Sequence, residues 1–121
     1  MAFNWSEFLV LARSLVQETT GTGEAAYRTA ISRAYYAAFC TARGYAQEHL
    51  EYMVRGASDD HFLLREHFRS NGLTDIVTRL DQLRRWRNQC DYDGTLYNLP
   101  TIVPIAIRMA QEVLDMTVAD S

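Results

Sequence analysis

The stretch Thr74–Gly94 reads TDIVTRLDQLRRWRNQCDYDG. At about 100° per residue, with Ile76 set at zero, Leu80, Leu83 and Cys90 all fall within about 40° of one line along a helix. That is the apolar stripe of an amphipathic helix, and the spacing predicts one from about Thr74 to Asp91, followed by an Asp93-Gly94 turn. Arg87 falls at about 20°, in the middle of the stripe, and Asp91 follows on the same side at about 60°. Arg84 and Asn88 flank them on one shoulder, while Arg85 points the opposite way, to water. A guanidinium among apolar side chains needs acceptors, because a desolvated charge without partners is costly. Asp91 can supply one through an i,i+4 pair. Further oxygens must come from another helix, another subunit or a ligand. Two readings are open: an internal Arg87–Asp91 ion pair at a helix end, or a site residue facing a wet cleft.

The rest of the chain is helical in the same sense, and no stretch alternates as a strand does. A first helix is expected from about Trp5 to Glu18, capped by Asn4 or Ser6, with Phe8, Leu9, Ala12, Leu15 and Val16 inward. Thr19–Gly23 (TTGTG) is a loop by composition. A long helix follows from Glu24 to near Tyr52, with Tyr27, Ile31, Ala34, Tyr35, Ala38, Ala42 and Tyr45 as its stripe. Gly44 inside it points to a close helix contact. Ser58 or Asp59 caps a third helix that ends at Asn71-Gly72, with Phe62, Leu63, Glu66 and His67 on neighbouring turns. Thr74 or Asp75 caps the fourth. A fifth runs from about Thr101 to Val118, with Pro104 in its first turn and Ile102, Ile105, Ala106, Met109, Val113 and Met116 as its apolar residues. Helices joined by short connections imply an all-α antiparallel bundle of four to five helices, in a single domain over residues 1–121.

Composition narrows the function. Apolar residues make up 48% of 121, so intrinsic disorder is excluded. No apolar run approaches the roughly 20 residues of a membrane span, and MAFNWSEF lacks the pattern of a signal peptide. A cytoplasmic location without membrane association is expected, with Cys40 and Cys90 as reduced thiols. No Cys/His set has metal-ligand spacing, so neither metal nor cofactor is expected. The net charge of −3 argues against a general polyanion binder. Yet all twelve basic residues are arginine, and Arg79, Arg84, Arg85 and Arg87 lie within ten residues of one another. Planar guanidinium donors suit carboxylate and phosphate, which leaves room for a local phosphate site.

On the long helix, Ser32, Arg33, Tyr36 and Arg43 form a polar face. Ala30, Ala34, Ala37 and Ala38 form a small-residue surface suited to close packing, which reads first as that of a central helix in a bundle; together with the many aromatic residues of a short chain it also leads to the expectation of a homodimer built on the second and fourth helices. Tyr35 and Tyr36 read as core and rim, and Arg28 and Arg33 as solvated or paired.

The pairing of ISRAYYAAF (Ile31–Phe39) with LRRWRNQCDYD (Leu83–Asp93), together with the opening NWSEFL and a last helix after the DYDG turn, resembles the HEPN family of small helical bundles. The resemblance covers nearly the whole chain and implies a dimer of such bundles. Many HEPN proteins are metal-independent endoribonucleases, often toxins paired with a nucleotidyltransferase-type or other antitoxin. Others are non-catalytic modules that bind a protein, a nucleotide or RNA. In the nucleases an arginine, a polar residue and, a few residues on, a histidine face a cleft at the dimer interface. By resemblance Arg87 takes the arginine position and Asn88 the polar one, Tyr92 stands where the histidine would be, and Asp91, Arg84, Ser32, Arg33 and Tyr36 support the cleft. An unperturbed tyrosine has a pKa of about 10 and moves no protons near neutral pH as histidine does. The departure therefore sets a ribonuclease with Tyr92 as acid or hydrogen-bond donor against a non-catalytic binding dimer. His61 and His67, on the third helix, can approach the cluster from elsewhere in the fold; six residues apart they do not share one face well, and a lone histidine on an amphipathic helix is more often structural.

Overall fold

The computed structural model describes residues 3–17, 23–56 and 59–118. Among them the chain forms five helices and no strand: α1 (Glu7–Gln17), α2 (Glu24–His49), α3 (Asp60–Ser70), α4 (Thr74–Tyr92) and α5 (Leu99–Met116). The cap expected at Ser58 and most of the Thr19–Gly23 loop lie outside the described residues. None of the described helices is long and apolar enough to cross a membrane.

The central element is α2, which touches each of the other four helices. Its alanines explain how. Ala30, Ala34, Ala37, Ala38, Ala42 and Ala46 are all fully buried, and with no side chain beyond Cβ they let neighbours approach on several sides at once. The alanines pack inside the chain, as expected of a central helix in a bundle, and so lend no support to a dimer built on that surface.

Gly44 differs from expectation. A Cβ added there would meet nothing within 4 Å, so no close helix contact requires the glycine. It lies well inside α2, where glycine weakens a helix relative to alanine. Gly44→Ala is therefore expected to stabilise the protein by about 0.5–1 kcal/mol. A denaturant midpoint unchanged or lowered by the substitution would refute this.

Helix ends follow local chemistry. Before α1, the Asn4 side-chain oxygen accepts from the Ser6 backbone N–H at 3.1 Å and from its hydroxyl at 2.7 Å, an Asx-type start. α3 closes with Leu73 N–H donating to the Phe68 carbonyl and Gly72 N–H to that of Arg69, each at 3.0 Å, while Gly72 adopts a left-handed φ of 76°. This is a Schellman closure, which glycine accommodates without strain. Thr74 and Asp75 do not cap α4: the N-cap is Leu73, and no side chain bonds there. The three-residue connection fixes the entry by backbone geometry, and Asp75 in the first turn complements the helix dipole. α5 starts two residues early, after Asn98 in a left-handed conformation (φ 60°). Pro104 thus lies in the second turn. The carbonyl it cannot satisfy, that of Pro100, is at an exposed position.

Two apolar faces differ from expectation. On α3 the inward residues are Asp60, Leu64 and Phe68, while Phe62 stands 51% exposed. Buried Asp60 disguises the true stripe. On α5 the buried set is Leu99, Val103, Ala106, Ala110, Val113 and Leu114, which leaves Ile102, Ile105 and Met109 at its edge and Met116 exposed.

The bundle is not wholly antiparallel. Arg28 meets Cys90 and Tyr36 meets Arg87, so α4 runs against α2. But Tyr35 meets His61 and Tyr45 meets Phe68, so α3 runs with α2. α3 therefore begins beside the middle of α2 and not beside its end. This placement sets the first turn of α3 opposite the second half of α4.

Candidate functional site

Arg87 lies where the helical spacing put it, its side chain 19% exposed. The guanidinium carbon stacks 5.2 Å from the Tyr36 ring centre and 5.9 Å from that of Tyr35. Both rings come from α2, and each offers its negative face to the cation. Nε is 3.0 Å from Asp91 Oδ2, yet this buried N–H makes no directed hydrogen bond. Distance alone makes it an ion pair; the N–H is aimed off the carboxylate. The other Asp91 oxygen accepts from the Ser32 hydroxyl at 2.9 Å, and Arg87 Nη1 reaches Asn88 Oδ1 at 3.4 Å. The side chain of Asp91 remains 33% exposed. The ion pair of the first reading is present, and it lies at a partly exposed edge of the bundle.

Two more arginines converge on this edge. Arg84 makes no hydrogen bond or ion pair among the described residues, and its Nε is sealed from solvent with no partner. Arg65, from α3, reaches Asp81 Oδ1 only at 3.8 Å, and Asp81 is shared with Arg85 at 2.9 Å. Burial lowers the proton affinity of Arg65, and the nearby positive charge of Arg84 lowers it further. The three guanidiniums are thus crowded and short of negative charge, and Arg84 has none at all.

Between them lies a pair that the sequence did not single out. The Tyr35 hydroxyl hydrogen-bonds Nδ1 of His61. The His61 ring stacks on Phe39 at 4.2 Å between centres and on Tyr35 at 5.6 Å. Burial, then Arg84, Arg87 and Arg65, pull the histidine down to about 4, against a weaker opposing effect of Asp60. Burial raises the pKa of Tyr35 despite the arginines, so it keeps its proton. His61 therefore accepts from Tyr35 and is neutral at neutral pH.

The other expected site residues divide. Ser32, Tyr36, Asn88, Asp91, Arg84 and Arg87 gather at this edge. Arg33 does not: it turns to α1, where its guanidinium carbon lies 5.4 Å from the Phe8 ring centre. Tyr92, the substitute for a motif histidine, is 78% exposed at the end of α4. A further residue holds the site together. Arg28 donates to the carbonyls of Cys90 (2.8 Å) and Asp93 (2.7 Å) and pairs with Glu24 at 3.1 Å. A cation bound to the last carbonyls of α4 satisfies its end and fixes it to α2.

A cavity of about 430 Å³ opens on the other side of α4, lined by Ile31, Trp86, Gln89, Leu96 and Tyr97 among others. Its lining holds no cationic side chain, and burial pushes the Cys90 thiol there up to about 11, so that it stays protonated. The arginine cluster holds two of the buried polar atoms without a hydrogen bond among the described residues, Arg84 Nε and Arg87 Nε; the Tyr52 hydroxyl and Asp60 Oδ1 are the others. Among the described residues no three His, Cys, Asp or Glu side chains stand together as a metal site would need.

No family model and no solved structure match the chain. An uncharacterized protein of Methanocaldococcus jannaschii is 32% identical over 108 residues, covering 75% of this chain and 61% of the relative. The chain thus spans about three-fifths of the length of that relative.

Proposed function

We propose that the chain is a HEPN-type helical module that binds the phosphates of RNA in the groove between α2, α3 and α4, as a component of a toxin–antitoxin or defence-type system. One observation carries the proposal: Arg84, a half-buried guanidinium with no acceptor among the described residues, beside Arg87, whose Nε–H is not aimed at its own carboxylate. A desolvated cation without a partner is unfavourable unless something outside the chain completes it. A phosphate oxygen pair matches two guanidinium forks.

Cleavage through a 2′-hydroxyl needs a base and an acid near the phosphate. Tyr92 is exposed at the end of α4, and its exposure favours a binding module over a nuclease that uses Tyr92. In this proposal a second copy of the chain meets the rim of the groove, where Tyr92 packs against it, and a nucleotidyltransferase-type or other antitoxin is the protein partner.

Fluorescence anisotropy with a labelled single-stranded RNA tests the proposal. Wild-type protein is expected to bind, more weakly as salt rises. Arg87→Ala should bind at least about tenfold more weakly, and Arg87→Lys should rescue poorly because it lacks the fork. Absence of binding by the wild type, or equal binding by Arg87→Ala, would overturn it. Sedimentation of the same samples checks the two-copy arrangement: a stable monomer at micromolar concentration removes the partner copy and leaves a groove complete in one chain.

A further inference from the structure

We propose that His61 is the proton-accepting member of this anion site: it takes up a proton when an oxyanion engages Arg84 and Arg87, which links phosphate binding to pH. The inference rests on the anion-binding reading above and adds to it a residue and a direction of response.

The geometry places His61 inside the cationic cluster. Its ring packs against both Phe39 and Tyr35, which also stack on each other, and Tyr35 lies in turn beside the Arg87 guanidinium, 5.9 Å from ring centre to carbon. The groups that act on it come from every helix around it: Arg84 and Arg87 from α4, Tyr35 from α2, Arg65 and Asp60 from α3 itself. Arg65 Nη1 also donates to the His61 backbone carbonyl at 3.2 Å, so the two residues are held in register. Three positive charges against one carboxylate, in a poorly hydrated place, hold the ring neutral in the free protein.

An oxyanion changes that balance. Bound between Arg84 and Arg87, it neutralises the two charges that act most strongly on the ring after burial. A proton from solvent can then settle on the imidazole. The Tyr35 hydroxyl accommodates it without losing a bond. In the free protein it donates to Nδ1, which leaves the proton of the neutral ring on Nε2. When Nδ1 is protonated, the hydroxyl turns and accepts. Such a reversal is open to a tyrosine hydroxyl and closed to a backbone carbonyl, which only accepts. The other two histidines differ. His67 donates from Nε2 to the Leu50 carbonyl at 2.6 Å, and His49 lies against Glu48 and Tyr45. They serve as internal references.

The test is a pH titration of the three histidine ring resonances by NMR, on wild-type protein alone, with saturating single-stranded RNA hexamer, and with saturating inorganic sulfate. The His61 midpoint is expected to rise by about two units, toward the ordinary value of about 6.5, with either anion, while His49 and His67 move little. By linkage the RNA should then bind about tenfold more tightly at pH 5 than at pH 7. In His61→Gln the pH dependence should be flat. RNA binding with an unmoved His61 midpoint, or with the pH dependence intact in His61→Gln, overturns the inference and leaves the anion site standing. A shift with RNA but none with sulfate places the coupling in base or sugar contacts and overturns the oxyanion assignment. Absence of RNA binding at both pH values removes the anion site and the inference together.

Discussion

Replacing Arg84 by methionine should make the free protein more stable while it abolishes anion binding. The side chain of Arg84 is half-buried, Nε has no partner, and no carboxylate neutralises the charge among the described residues. Methionine keeps the aliphatic stem that packs against the helix and removes the desolvated cation. It also relieves Arg65, which carries the repulsion of Arg84 on top of its own burial. The expected gain is about 1 kcal/mol, or a few degrees in melting temperature. RNA affinity should fall at least about tenfold, which corresponds to 1.4 kcal/mol at room temperature. A functional site held at the expense of stability has this signature. Thermal melts and anisotropy on the same two proteins check it. A loss of more than about 1 kcal/mol in Arg84→Met would mean that the guanidinium is part of the scaffold.

The largest effect on stability should come from Phe68. It is fully buried, packs against Tyr45 and is held at the closing turn of α3 by the bond from Leu73. Phe68→Ala removes most of a buried aromatic side chain and leaves a cavity, at a cost of about 3–5 kcal/mol. For a domain whose whole stability is about 5–15 kcal/mol, that is a large fraction. Phe62→Ala, on the same helix but 51% exposed, should cost less than about 0.5 kcal/mol. Urea titrations of the two variants compare them directly. Equal losses would mean that α3 docks by another face.

These two residues also show what the sequence made legible. The stripe of α4 was readable because Ile76, Leu80, Leu83 and Cys90 recur on one helix at one period, and Arg87 was conspicuous for breaking it. The orientation of Arg85 to solvent followed from the same spacing. α3 was harder, since its inward face begins with Asp60, a charge that no periodicity rule assigns to a core, while Phe62 is apolar and exposed. His61 was visible as a histidine on the third helix, but its pairing with Tyr35 among the arginines was not. It reaches the arginines only because α3 lies alongside α2 in the same direction, a feature that composition does not encode. The same holds for Arg28, whose acceptors are backbone carbonyls and leave no trace in residue identity. The alanines of α2 were ambiguous for the opposite reason. Small residues report that something approaches closely, and they do not say whether it is another chain.

The Arg28 contact has a kinetic consequence. It joins residues 62 apart in sequence, and the Ser32–Asp91 bond joins residues 59 apart. α3 and α4, by contrast, are linked by three residues and can find each other quickly. Closing a loop of about sixty residues carries an entropic cost of roughly 4 kcal/mol before any contact across it is gained. The α3–α4 hairpin and the α1–α2 pair are thus the local units, and the arginine cluster is expected to be completed only when they dock on each other. A change that loosens this docking empties the anion site well before it reduces helix content, so circular dichroism would report an intact protein that no longer binds.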